Sequence, residues 1–335
     1  MRPLTWVGGP TSSNLSKMGR LFSQGRMVFF LLASASLLAL ISLGPAWACN
    51  DSRAAPAGLD PSAYDGYLVG EGGCLYDPGS ISLDQVPPFL GRTRSGPRQQ
   101  PLFYVNGFGA APGREPYRLR RLAESSNIPV IGIYYASQSQ SLADILRVLP
   151  IPKSPVLRSE AINTLKDLML SAMERGEAFH VRGGSGGTII IADTLGKVRR
   201  AAFSRYGPQE AMNNRLPLLK VETHGSAASW YPSGPRYVHY INLLDPVPLA
   251  VGFFAPGLQN SGPRSAVALF LASYPSIESE LGPVDGMGEA FLRLHGFNVY
   301  TRYRRPFDTI YDQSRRLPAR GFVNLDRQRF PIEGI

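Results

Sequence analysis

The sequence predicts an α/β fold, a mostly parallel central sheet flanked by helices, and three observations predict it. From Pro101 onward, β-type apolar runs alternate with helical patterns, which is how strands joined by crossover helices are written in a chain. The run Val130 to Tyr135 is almost continuously apolar, as expected of a strand covered on both faces. A glycine-rich pentad, Gly183-Gly184-Ser185-Gly186-Gly187, stands between a β-type run and an apolar run of helical length, the strand, turn and helix order of a nucleophile turn.

The elements follow in order. Arg20 and Arg26 precede an apolar and small-residue stretch from Met27 to Leu43, and Ala46-Trp47-Ala48 follows it. A basic region, an apolar segment and a small-x-small site form an export signal, so residues 1–48 are expected to be a signal peptide outside the fold, with an uncleaved membrane anchor as the other reading. Residues 49–100, rich in Gly, Pro, Ser and Asp, are expected to form an extended N-terminal arm, with room for a short hairpin at the apolar pieces Tyr67 to Val69 and Cys74 to Tyr76. The main domain is assigned to residues 101–311, and residues 312–335 to a basic C-terminal extension, either packed or loose. Within the domain, Leu102 to Val105 reads as the first central strand and Glu115 to Ser125 as a helix. Ser159 to Arg175 is an amphipathic helix, with Ile162, Leu165, Met169 and Ala172 on one stripe, a serine cap before it and Gly176 after it. Phe179 to Arg182, Leu218 to Thr223 and Tyr237 to Leu244 read as further strands, and Thr188 to Leu195 opens the helix after the pentad. Residues 247–290, with Phe253, Phe254 and Leu269 to Leu271, are either an apolar lid or acyl pocket or ordinary packing.

Only two cysteines occur, Cys49 and Cys74. In an oxidising compartment the two either pair, tying the start of the exported chain to its body, or stay free; lipidation of Cys49 is the competing reading and would exclude the bond. Two cysteines cannot scaffold a chain this long, so the core must be hydrophobic. No Cys/His group has zinc-ligand spacing and there is no phosphate-binding loop, so no metal or organic cofactor is expected.

Charge narrows the partners. The net charge of +10, from 35 basic against 25 acidic residues, favours contact with anionic surfaces such as phospholipid, or simply keeps the surface soluble. The arginines are scattered and belong to no nucleic-acid module, so nucleic acid is not an expected partner. No pattern sets an oligomeric state.

The pentad makes Ser185 the nucleophile candidate, with Gly183 and Gly187 letting strand and helix close around a sharp turn. Asp245 follows a strand end and leads Asp-Pro-Val-Pro, the position expected of the acid in a parallel sheet. Four histidines compete for the base. His180 and His239 lie inside strands and read as packing. His224 follows a strand at Gly225 and is the alternative base. His295, in His295-Gly296-Phe297, comes after both serine and aspartate and is the preferred one.

Asn-Gly after a strand, Val-Ile-Gly-Ile-Tyr-Tyr in the next, the glycine turn at Ser185, Asn-Leu-Leu-Asp-Pro-Val-Pro and the late His-Gly-Phe together resemble lipase- and esterase-like members of the α/β-hydrolase superfamily, over about Leu102 to Tyr300. The resemblance implies a triad of Ser185, Asp245 and His295, with Gly107, Phe108 and Gly186 around an oxyanion hole. Two departures stand out: Gly184 where many relatives have histidine, and Asn106-Gly107 where His-Gly is frequent. The expected activity is cleavage of a carboxylic ester, lipid or other acyl ester, through an acyl-enzyme by an exported protein that is periplasmic, extracellular or membrane-anchored. Two alternatives stay open: a catalytically silent envelope-binding module, and an acyltransferase.

Overall fold

The computed structural model describes residues 49, 51, 60–92, 100–110, 112–137, 159–249, 264–272, 293–317 and 322–325. The expected export signal, Phe253 and Phe254 lie outside them. Nine strands form one sheet in the order β2-β1-β4-β3-β5-β6-β7-β8-β9. These are β1 (Leu68–Val69), β2 (Leu75–Tyr76), β3 (Leu102–Val105), β4 (Val130–Ile133), β5 (Phe179–Gly184), β6 (Leu219–His224), β7 (Arg236–Asn242), β8 (Ser265–Phe270) and β9 (Phe322–Asn324). The ladders from β4 to β9 are all parallel, and β1 pairs antiparallel with both β2 and β4. The helices are α1 (Glu115–Ser126), α2 (Glu160–Arg175), α3 (Gly187–Tyr206), α4 (Phe297–Tyr303) and α5 (Phe307–Arg315).

Alternation along the strands supplies two apolar faces. Phe103, Val105, Ile131, Ile133, Val181 and Val221 pack with Leu165 and Met169 of α2 and Ile190 and Leu195 of α3. On the opposite face Leu102, Tyr104 and Val130 meet Leu119 and Leu122 of α1. Val238, Tyr240, Ala268 and Phe270 meet Tyr300 of α4 and Ile310 and Tyr311 of α5. Each large apolar side chain buried this way contributes about 1.5–3 kcal/mol. The helix α2 ends where its sequence says: Ser159 Oγ accepts from the Ala161 N–H, and Gly176 takes the left-handed conformation at φ 70°.

The segment before Pro101 contains a short hairpin. The β1–β2 pair extends the sheet through β4, and Asp65 accepts from the Ala136 N–H at 2.9 Å, the Ser159 hydroxyl at 3.0 Å and the Glu160 N–H at 2.6 Å. One side chain thereby joins the segment after β4 to the start of α2. Cys49 and Cys74 form a disulfide. In the C-terminal segment the described residues follow the packed one of the two readings: α5 runs across position 312, and Phe322–Asn324 join the sheet beside β8. The strand β8 was not anticipated; Leu269 and Phe270 are buried sheet residues, so packing, not a lid, accounts for them.

Between the two apolar clusters on the α1/α4/α5 face lies a row of buried charge. Glu222 accepts from Arg304 Nε at 2.8 Å and Nη2 at 2.6 Å, and its Oε1 is 2.9 Å from His180 Nε2. Fully buried Arg182 stands 3.9 Å from Glu222. Burial alone would raise the Glu222 carboxyl; the Arg304 charge and the His180 bond outweigh it and hold the group well below the usual carboxylate range. Burial likewise pulls the Arg182 guanidinium down, to about 10, against the attraction of Glu222. Removing one partner from such a row strands the others in a dry interior. Glu222→Gln is expected to cost about 3–5 kcal/mol of stability, read as a lower urea midpoint; an unchanged midpoint would mean that the two arginines find water.

Candidate active site

In a parallel sheet the crevice for a ligand opens beyond the strand ends where the order reverses. Here β3 lies between β4, which follows it in the chain, and β5, so the reversal falls between β3 and β5. The segment after β3 is Asn106-Gly107-Phe108, and the segment after β5 is Ser185.

The turn at Ser185 is strained. Its φ is +49°, a left-handed conformation that a non-glycine residue adopts at a cost. Three hydrogen bonds hold it there. The Ser185 N–H donates to the His224 carbonyl at 3.1 Å, and the Thr188 N–H and hydroxyl both donate to the Ser185 carbonyl, at 3.0 and 2.5 Å. Close approach of α3 to β3 demands glycine at 187, where a Cβ would stand 2.5 Å from the carbonyl oxygens of Val105 and Asn106. The first N–H groups of a helix have no intrahelical partner, so the Gly186 end of α3 presents donors toward the crevice.

The facing loop is clamped by its asparagine. Buried Asn106 donates from Nδ2 to the Tyr135 carbonyl at 2.8 Å and the Gly107 carbonyl at 3.1 Å, and its Oδ1 accepts from the Tyr135 N–H at 2.7 Å. The Gly109 N–H donates to Ser137 Oγ at 2.7 Å. Thus fixed, the loop brings Gly107 within a Cβ contact of 3.0 Å to Ser185 Cβ and lays the Phe108 ring over Gly186.

Asp245 and His295 meet although 50 residues separate them. His295 Nδ1 lies 2.7 Å from Asp245 Oδ2, and Asp245 Oδ1 accepts from the Val247 N–H at 2.9 Å. The carboxylate is fully buried and the imidazole nearly so, at 17 % side-chain exposure. Gly225, at φ +52°, borders both: a Cβ there would stand 2.6 Å from His295 Cε1 and 3.1 Å from Asp245 Oδ2. Residues 224 and 225 therefore border both Ser185, through the His224 carbonyl, and the His295–Asp245 pair, through the open Cβ position of Gly225. His295 Nε2 is buried and without a hydrogen-bond partner, so Ser185 Oγ and His295 are not bonded in this conformation.

The other histidines have different partners. His224 Nδ1 accepts from Arg182 Nε at 3.2 Å, and its ring stacks on Tyr104 and fills the space where a side chain at Gly184 would project. Burial, then the Arg182 charge, hold its pKa well below the ordinary value. A ring whose basicity is this depressed and whose Nδ1 lone pair is committed to Arg182 is a poor base, which disfavours the alternative assignment. His180 is spent on Glu222, and His239 is bonded to Thr223 at 2.8 Å.

Two residues that sequence reasoning left without a role are central to the site. Asn242, at the end of β7, donates from Nδ2 to the Leu294 carbonyl at 3.1 Å and accepts at Oδ1 from the N–H groups of Leu244 (3.2 Å) and Ala272 (3.1 Å). It joins the turn before Asp245, the end of β8 and the residue before His295. The only signal was a polar side chain closing an apolar strand three residues before the aspartate. The second is Tyr300, whose hydroxyl donates to Asp245 Oδ2 at 2.6 Å; an aromatic residue in a helix gives no signal of that kind. Among the described residues no three His, Cys, Asp or Glu side chains group as metal ligands would. A broad groove lined by Asp77, Leu90, Pro101, Phe103 and Phe179 lies at the strand starts and includes no candidate site residue.

No family model matches the chain, and no curated protein matches it in sequence. Among solved structures it is similar to an esterase of Pyrobaculum calidifontis, at 14% identity and TM-score 0.37 over 63% of this chain and 76% of that one. It is also similar to the iron-lacking apo form of ESTFA, at 14% identity and TM-score 0.33 over 58% and 72%. A third likeness is to one of two fungal esterases from Rhizomucor miehei, at 13% identity and TM-score 0.35 over 64% and 76%. The α/β-hydrolase type of fold rests here on the strand order and the strand-to-helix turn at Ser185.

Gly225→Ala would drive a methyl group into the imidazole. The downfield proton resonance of a buried His–Asp bond is expected in the native protein and lost in this variant, with about 1–3 kcal/mol of stability lost in urea. A retained resonance would mean that the strand end has room to spare.

Proposed function

We propose that the protein is a serine hydrolase that cleaves carboxylic esters, with Ser185 as nucleophile, His295 as general base and Asp245 as the group that orients it. The observation that carries this reading is the shared border at residues 224 and 225, where the strained serine bonds to the His224 carbonyl and the His–Asp pair fills the space beside Gly225. Attack by a neutral hydroxyl needs a base to take its proton in the transition state. His295 Nε2 is free for that proton, because Nδ1 is committed to Asp245 and the exchange of a proton at Nε2 leaves an imidazolium beside a carboxylate. Catalytic hydrogen bonds are often long without substrate, so an unbonded Ser185 is compatible with this role.

The tetrahedral oxyanion would be received by the N–H groups of Gly186 and Phe108, with Gly107 allowing the loop to approach Ser185. One such donor is worth roughly 3 kcal/mol of transition-state stabilisation. The acyl-enzyme forms as the alcohol leaves with the proton held by His295, and water reverses the sequence. An acyl substituent suits the surroundings: Phe108 lies over the turn, and exposed Leu244 stands next to Asp245. Export is supported by the disulfide, which persists in oxidising compartments, and the substrate would then be an acyl ester or lipid met outside the cytoplasm, beside an anionic surface that the positive charge attracts. Among the described residues no helix is long and apolar enough to cross a membrane.

A fluorophosphonate probe followed by peptide mapping should place the label on Ser185 alone. Ser185→Ala should remove p-nitrophenyl ester turnover by about five orders of magnitude or more, and Asp245→Asn should lower it about 10⁴-fold. A folded native protein that neither labels nor turns over esters would be a silent module. Transfer products in the presence of a competing alcohol would move the assignment to acyl transfer.

A further inference from the structure

Asp245 Oδ2 receives two donors: His295 Nδ1 at 2.7 Å and the Tyr300 hydroxyl at 2.6 Å. The Tyr300 hydroxyl has its own direction fixed, since its oxygen accepts from the Asn242 N–H at 3.2 Å and its proton is left for the carboxylate. Tyr300 is fully buried, with its ring edge-on to Phe270 at 5.3 Å and tilted against His224 at 5.5 Å, so it has no freedom to turn away. His295 and Tyr300 belong to one short segment, with α4 beginning two residues after the histidine, and both converge on the same oxygen. Burial, and then the Asp245 charge, push the phenol well above its ordinary value, which keeps its proton in place at any working pH.

We propose that Tyr300 is a positioning residue that sets both the orientation and the basicity of the His295–Asp245 pair. This rests on the reading of His295 as the base for Ser185. A hydrogen bond to the oxygen that faces the imidazole draws negative charge off it, so the carboxylate stabilises the imidazolium less than it would unassisted. The hydroxyl thereby competes with the imidazole for the charge of one oxygen. Without the hydroxyl, Asp245 Oδ2 keeps only His295, the buried carboxylate attracts the imidazole proton more strongly, and the imidazolium persists to higher pH.

The test is Tyr300→Phe, with Tyr240→Phe as a matched control. Tyr240 is also buried, but its hydroxyl is committed to the Arg305 carbonyl at 2.8 Å. In Tyr300→Phe the acid limb of the kcat/KM profile should move up by about one pH unit, a roughly tenfold change in imidazolium dissociation, and the His295 titration followed by NMR should move with it. Tyr240→Phe should leave both in place. A 3-fluorotyrosine at position 300, which keeps the shape and donates more strongly, should move the His295 titration the other way, and it keeps the test available should the phenylalanine variant not fold. An unmoved His295 titration in a folded variant at position 300 would overturn the proposal, whether or not the protein cleaves esters. Ester turnover surviving in Ser185→Ala would instead overturn the hydrolase reading and leave the His295 titration as the measure of Tyr300.

Discussion

The bond between His295 and Asp245 is the constraint from which most of the site follows. A carboxylate with no solvent exposure needs donors, and Asp245 receives them from three directions: His295, Tyr300 and the Val247 N–H. Satisfying it fixes where residues 295 to 300 must lie, because histidine and tyrosine have to reach one oxygen together. It also fixes the neighbouring strand end. Gly225 carries no side chain because the imidazole and the carboxylate already occupy that volume. Asn242 performs the same service one strand over, satisfying backbone groups of the β7 turn, of the residues after β8 and of Leu294 with a single amide.

The sequence carried the local features well and the long-range ones poorly, for a physical reason. Caps, glycine turns and continuous apolar runs act within a few residues, so the bounds of α2 and the positions of β3, β4 and β5 could be read directly. The nucleophile candidate was legible for the same reason, since strain at Ser185 needs glycine neighbours. Asp245 and His295 were legible only through their order and their place after apolar runs. The strands β8 and β9 escaped: an apolar run such as Val267 to Phe270 looks alike in a strand or a pocket wall, and the three residues of β9 are too few to give a periodicity. Tyr300 escaped because its role depends on a partner 55 residues away.

The two departures from the resemblance each have a structural account. Asn106 stands where His-Gly is frequent, and its amide matches both the N–H and the carbonyl of Tyr135, so it ties the loop after β3 to the end of β4 with two bonds that a single side chain can make only if it is both donor and acceptor. Gly184 stands where a histidine often precedes the serine, and the volume beside it is filled by His224, which comes from the adjacent strand. The ring is supplied from another part of the chain.

That substitution has an electrostatic consequence. A histidine next to the nucleophile, if it were protonated, would set a second positive charge near His295 just when the imidazolium forms. His224 is kept from this by Arg182: accepting at Nδ1 from a cation requires the lone pair, so the ring carries its one proton on Nε2 and remains neutral. Arg182 is in turn tolerable in the interior because Glu222 lies across from it and is shared with Arg304. The row of buried charge beneath the turn at Ser185 therefore does more than separate two apolar clusters. It holds Arg182 and Arg304 on Glu222 and the imidazoles of His180 and His224 on fixed partners, while His295 keeps a buried Nε2 that carries no hydrogen bond.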